Sequence, residues 1–277
     1  MRNNTTGYDL TAVGYQSMQN NTTGHRNNAF GTGALHDNTT GQQNNAFGYW
    51  ALGANTTGNY NTAMGHGALI TNTSGEQNSA FGQNSLYANT TGTYNTAVGR
   101  NALYNNATGN RCTAVGRTAL NNNTTGDDNT AVGYYALLNS QTAADNTSVG
   151  SYSLKDNTTG GSNAALGTSA LQSNTTGSKN VAVGRSALAN NISGANCTAV
   201  GNNAMNSNTT GGENTAVGQD ALLNCTTGYR NVAIGHHAGD EISTGYRNTF
   251  IGDIAGHGGV TTGANNTLLG YNAQASS

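Results

Sequence analysis

The sequence predicts an all-β chain, a parallel β-roll or β-solenoid with one 17-residue coil per repeat. Three observations carry that expectation: a phrase that returns at fixed spacing, strand-like alternation within it, and an unusual composition. The phrase reads "NNTTGHRNNAFGTGALHD" at residues 20–37, then "DNTTGQQNNAFGYWALGA" and "ANTTGNYNTAMGHGALIT" directly after it. The Gly of "NTTG" falls at 7, 24, 41, 58 and onward to 245, with Ala at 143. A second Gly, that of "TAVG", runs in step from 14 to 252, and one inserted residue moves the last pair to Gly263 and Gly270. Sixteen copies with a single slip mean that each copy is one structural unit stacked on its neighbours.

Seventeen residues are too few for two packed helices, and two Gly per unit among Thr, Val and Ile disfavour helix. Within "NTAVG" the period is two, so Thr and Val share one face of a strand and Asn and Ala the other. The following "xxAL" offers a second short strand, and "NTTG" a turn in which Asn and Gly take positive φ. On this reading the core receives one Val-class and one Leu-class residue per coil, Phe30 and Leu35 in the coil quoted first. Ala or Ser precedes the Leu-class position in every copy, from Ser17 and Ala34 to Ala273, as close backbone approach requires. The Asn before the strand, at 27, 44, 61, 78 and 95, is expected to form a ladder of stacked amides. Cys112 and Cys197 replace that Asn, and Cys225 replaces the Asn of "NTTG"; all three read as small semi-polar fillers. A core this thin calls for backbone pairing between coils and association of several chains.

The array divides into a regular part, 1–235, and divergent C-terminal coils, 236–277, of the same solenoid. In the last three copies the Leu-class residue becomes Gly239, Gly256 and Gln274, which suggests a cap or a junction.

Composition excludes several functions. The 277 residues contain 40 Gly, no Pro and only 8% charged residues, at a net charge of −2. Scattered Lys and Arg make no stripe for a phosphate backbone, so no nucleic-acid partner is expected. No apolar run approaches a membrane span of about 20 residues, so membrane insertion is not expected. The N-terminus enters the repeat without an apolar signal segment, and export would depend on a signal elsewhere or on other machinery. Gly-x-Gly strings such as "GTGAL" lack the strand, helix and acidic context of a nucleotide site. No catalytic constellation, cofactor site or metal site is expected; the 17-residue spacing does put His236 over Asp253 and Asp240 over His257, which reads as charge complementarity. Tyr229 with Tyr246, and Arg230 with Arg247, form a candidate surface patch for a sugar or an anion.

"N-T-T" also matches the glycosylation acceptor N-x-[ST]. It recurs in phase at Asn4, Asn21, Asn38, Asn55, Asn72, Asn89, Asn106, Asn123, Asn157, Asn174, Asn191 and Asn208. Asn, Thr and Gly are good turn residues without any glycan; a row of glycans along one edge is the alternative.

At "NTAVGxxAL" the chain resembles the head repeats of YadA-type trimeric autotransporter adhesins, whose units carry an "SVAIG"-like strand followed by a small residue. "NTTGxxNTAVGxxAL" is similar to the repeat arrays of phage tail fibres and tail-fibre-like surface proteins. The resemblance covers residues 4 to 273 and implies a left-handed roll in a side-by-side homotrimer. It departs from the pattern in its period, 17 rather than 14, and in having no membrane anchor or intramolecular chaperone. It implies an extracellular structural fibre segment or adhesin at a cell surface or on a virion, with itself and cell-surface glycans as partners. The alternative is an ice-binding β-solenoid; against it, the strand Thr lies on the Val face assigned to the core and the "TT" pair on a turn.

Overall fold

Sixteen three-residue strands are described in the computed structural model, which covers residues 2–258 and 262–274. They fall into two units, Met1–Thr142 and Ala143–Ser277. The first holds β1 (Thr11–Val13), β2 (Asn28–Phe30), β3 (Asn45–Phe47), β4 (Thr62–Met64), β5 (Ser79–Phe81), β6 (Thr96–Val98), β7 (Thr113–Val115) and β8 (Thr130–Val132). The second holds β9 (Thr147–Val149), β10 (Ala164–Leu166), β11 (Val181–Val183), β12 (Thr198–Val200), β13 (Thr215–Val217), β14 (Val232–Ile234), β15 (Thr249–Ile251) and β16 (Thr267–Leu269). Within each unit successive strands pair in parallel, as in Ala29↔Ala46 and Phe30↔Phe47, so equivalent residues of successive coils lie side by side. The shift is 17 residues until β16, where Thr249 pairs with Thr267 and the inserted residue is absorbed. The parallel solenoid with one coil per repeat is therefore observed.

The expected second strand at "xxAL" is not formed. Residue 38 to 54 of the third coil shows why: Gln43, Trp50 and Leu52 adopt left-handed φ of 55°, 52° and 51°. Three such corners per coil fold the chain back on itself within 17 residues, and a corner at every Leu-class position leaves no extended run there. Pairing between coils nevertheless continues through the corners, with Leu35 N–H donating to Ala51 O at 3.0 Å and Leu52 N–H to Ala68 O at 3.0 Å. At the turn three consecutive N–H groups, of Thr39, Thr40 and Gly41, and the Thr39 hydroxyl all converge on Thr56 O. The turn Gly has no room for a side chain: a Cβ on Gly41 would overlap Asn38 Oδ1 of its own turn.

The alternation of the strands is as read, but the faces are reversed. Ala29, Ala34, Leu35, Asn21 and Asn27 are fully buried, whereas Phe30 is 37% exposed and points outward with the Val-class residues of the other coils. The lumen of a 17-residue coil holds one Leu, two Ala methyls and two Asn amides, which leaves no room for Phe or Val. Burial of backbone-like amides is tolerated only where they are bonded, and here Asn21 and Asn27 are.

The last coils change the plug while keeping the coil. Phe250 stands where other coils have the inward strand Ala, and it is fully buried. Its ring occupies the space left by Gly239 and Gly256: a Cβ at either position would lie 2.5 Å from a Phe250 ring carbon. Leu268 follows Phe250 in the same inward row. The lost Leu residues are thus replaced in volume from the opposite wall.

Candidate functional site

In each unit the strands turn one face outward, and that face is uncharged. Eleven of the sixteen strands offer a Thr or Ser together with a large apolar side chain to this face, such as Thr96 and Val98, Thr113 and Val115, Thr130 and Val132; Asn28, Asn45, Ala164, Val181 and Val232 take the Thr position in the other five. Val13, Met64 and Phe81 in the first unit and Leu166 and Ile234 in the second are among the exposed members of the row. Phe30 and Phe47 stack along it with ring centroids 4.9 Å apart. Across all strands the two outward rows contain no Asp, Glu, Lys or Arg. Charge is confined to the corners and turns.

A second row lies inside the coil and concerns the candidate acceptor asparagines. Asn21, Asn38, Asn55, Asn72, Asn89, Asn106, Asn123, Asn157, Asn174, Asn191 and Asn208 are fully buried, and Asn4 alone of the twelve is exposed. In ten of the eleven both Nδ2 hydrogens are used, as in Asn38, which donates to Asn21 Oδ1 at 2.8 Å and to Gly41 O at 3.0 Å. A glycan would have to be carried on that nitrogen, which at these eleven positions is buried in the folded coil. The residues that match an acceptor motif are instead the rungs of an amide ladder. The ladder stops where the sequence does: Asn123 is followed one coil on by Ser140 and Asn208 by Cys225, and both Oδ1 atoms are left without a partner.

The Asn before the strand, expected to form that ladder, bonds chiefly to backbone. Asn27 Oδ1 accepts Asn44 N–H at 2.9 Å, and Asn27 Nδ2 donates to Gly41 O at 2.8 Å. Cys112 and Cys197 take over this role, with Sγ lying 3.3 Å from Gly126 O and 3.4 Å from Gly211 O. Burial pushes the Cys112 thiol up to about 11 and the Cys225 thiol up to about 12, so neither supplies a thiolate near neutral pH.

The candidate patch in the second unit is assembled as the spacing indicates. Tyr229 and Tyr246 stack with centroids 5.1 Å apart and planes 3° from parallel. Arg230 and Arg247 each sit 5.9 Å from the ring of the preceding Tyr. Arg230 is also held 2.8 Å from Glu213, and its guanidinium keeps that carboxyl below the usual carboxylate range. The patch is exposed and adds little to stability.

His236 bonds Asp253 at 3.0 Å and His257 bonds Asp240 at 2.9 Å, both pairs foreseen from spacing. His237 was not foreseen: its Nδ1 lies 2.8 Å from Asp240, and its Nε2 lies 3.8 Å from Asp220. Asp220 precedes His237 by 17 residues, so the signal was present in the period. Among the described residues no group of three or more His, Cys, Asp or Glu is placed to hold a metal ion, and no helix is long and apolar enough to cross a membrane.

These features define a β-solenoid repeat protein with an uncharged strand face. No family model and no curated protein matches the chain.

Proposed function

We propose that the chain is an extracellular structural fibre segment or adhesin, of the cell-surface or virion tail-fibre kind, assembled side by side as a homotrimer. The observation that carries this reading is the uncharged, half-apolar strand face repeated in every coil. A monomer gains nothing from an outward row of apolar side chains, half-exposed to exposed, in each unit, whereas a partner can cover it. Another copy of the same chain repeats at the same spacing of about 4.8 Å, so each of its rungs meets an equivalent rung. Three strand faces turned inward would bury the row and leave the charged corners in water. Such a rod acts by reach and by multivalency, adding weak contacts with cell-surface glycans along its corners.

Light scattering is expected to give a mass of three chains. Val98→Asp combined with Val115→Asp places carboxylates in the covered face and should weaken association by roughly 100-fold or more, while leaving the coil intact because both side chains point outward. A wild-type chain that remains a folded monomer at high concentration refutes the assembly.

The outward position of the strand Thr favours a second reading, an ice-binding solenoid. Thr96, Thr113 and Thr130 lie in consecutive coils beside Val98, Val115 and Val132, on a face the sequence reading had assigned to the core. That regular array of hydroxyls and methyls predicts thermal hysteresis and ice shaping at micromolar concentration. Freezing behaviour equal to that of buffer eliminates it.

A further inference from the structure

We propose that Asp240, His237 and His257 form a pH-responsive clamp that fastens the last coils of the second unit under mildly acidic conditions and loosens them above neutrality. The clamp is built from three successive coils. Asp240 is 5% exposed, and its two carboxylate oxygens meet two imidazoles: His237 Nδ1 at 2.8 Å from within its own coil, and His257 Nδ1 at 2.9 Å from the next. On the other side His237 Nε2 reaches toward Asp220, 3.8 Å away and 8% exposed. Asp220 is further held by Asn203 Nδ2 and Gln219 Nε2, each at 3.0 Å. Beyond His257 lies Glu241, 4.0 Å from its Nε2.

Only imidazolium donates from both ring nitrogens at once. At 3.8 Å and 4.0 Å the outer nitrogens of His237 and His257 are not hydrogen-bonded to Asp220 and Glu241, so those two carboxylates act on the rings through charge, and only on imidazolium. Asp220 has neutral donors as well, but among the described residues the side-chain partners of Asp240 are the two imidazoles, on which this nearly buried carboxylate depends. The remaining charged neighbours are His236, whose ring centre is 4.2 Å from that of His237, and Asp253, bonded to His236. No Lys or Arg pairs with these carboxylates among the described residues. With the three imidazoles charged the cluster carries three cations against four anions, net −1; with all three neutral it carries −4.

The place of the cluster gives the charge change leverage. It reaches into the coils where Gly239 and Gly256 have replaced the core Leu, and it joins three copies, Asp220, His237 with Asp240, and His257 standing in successive ones. His257 is raised above its ordinary value, first by the hydrogen bond its ring donates to Asp240 and then by the charge of that carboxylate. A raised imidazole contributes its stabilisation in full below the unfolded value near 6.5 and loses it as pH rises through the folded value. The clamp is therefore closed in acid and opens toward alkaline pH.

Hydrogen exchange of the full chain between pH 5.5 and 8.5, with rates corrected for the intrinsic pH dependence of amide exchange, tests the inference. Peptides within 236–258 are expected to lose about tenfold or more of their protection across this range, while peptides within 28–115 keep theirs. His257→Gln should remove most of the pH dependence in 236–258. Constant protection of 236–258 across the range overturns the proposal, as does a variant with the wild-type pH profile. If the variant does not fold, the imidazole titration of His257 in the wild-type chain decides: a midpoint at or below about 6.5 overturns the clamp.

Discussion

Phe250→Ala is expected to destabilise the second unit by about 3–5 kcal/mol, toward the upper end for a buried Phe. Its ring fills space that two glycines leave open, and neither glycine has a side chain that can relax into the cavity. The informative measurement is a double-mutant cycle with Gly239→Leu. Alone, Gly239→Leu drives a side chain into the Phe250 ring and should destabilise. In the Phe250→Ala background it restores the arrangement of the ordinary coils, an inward Ala with a Leu at a left-handed corner. Gly239 has φ of 59°, close to the 51° of Leu222 one coil earlier, so the corner accepts Leu. The same substitution should therefore change sign between the two backgrounds, with a coupling of about 2 kcal/mol or more. Thermal or denaturant unfolding in which the two changes simply add would show that Phe250 does not replace the missing Leu residues.

Asn72→Ala should be nearly as damaging in the first unit, at roughly 3–5 kcal/mol, although it removes no apolar surface. Asn72 Nδ2 donates to Asn55 Oδ1 at 2.8 Å and to Gly75 O at 3.0 Å, and Asn89 Nδ2 donates to Asn72 Oδ1 at 2.7 Å. Truncation leaves three buried polar atoms short of a partner, at about 1–3 kcal/mol each before relaxation. Because each coil is stabilised mainly by its neighbours, the damage should concentrate at the two junctions of that coil. Hydrogen exchange should show protection lost first around 55–89. The control is Thr40→Ala: Thr40 is exposed, and its replacement should stay within about 0.5 kcal/mol. Equal melting of the two variants would mean that the ladder contributes nothing.

Period, the "TAV" strand and in-register stacking were legible in the sequence, because a 17-residue repeat admits a single alignment of its copies; the strand expected at "xxAL" is a left-handed corner instead. Which strand face lies inside was not. Alternation groups Asn27 with Ala29 and Asn28 with Phe30, but it does not say which pair faces the lumen, and ranking by hydrophobicity chooses Phe30. The choice fails because the lumen is narrow and is lined by amides that bond one another, a property of the closed coil that no single residue carries. The acceptor motif had two readings for a related reason: "NTT" also spells a buried rung followed by a Thr whose hydroxyl reaches the next coil, as Thr39 reaches Thr56. At the C-terminal end the loss of Leu at Gly239 and Gly256 was visible. The compensation by Phe250 was not, since it comes from the far wall of the coil. His237 and Asp220 were within reach of the same 17-residue bookkeeping that paired His257 with Asp240.

The amide ladder also has a direction. Every Nδ2 in the run from Asn21 to Asn123 donates toward the N-terminus, so a coil is always offered an acceptor by the coil before it and offers one to the coil after. Duplicating or deleting a whole 17-residue copy inside that run restores the same junction that was cut. Copy number can therefore drift during inheritance without any compensating substitution, and a lineage can lengthen or shorten the array in single steps. The coils around Phe250, where the filling is shared between unlike copies, do not have that freedom.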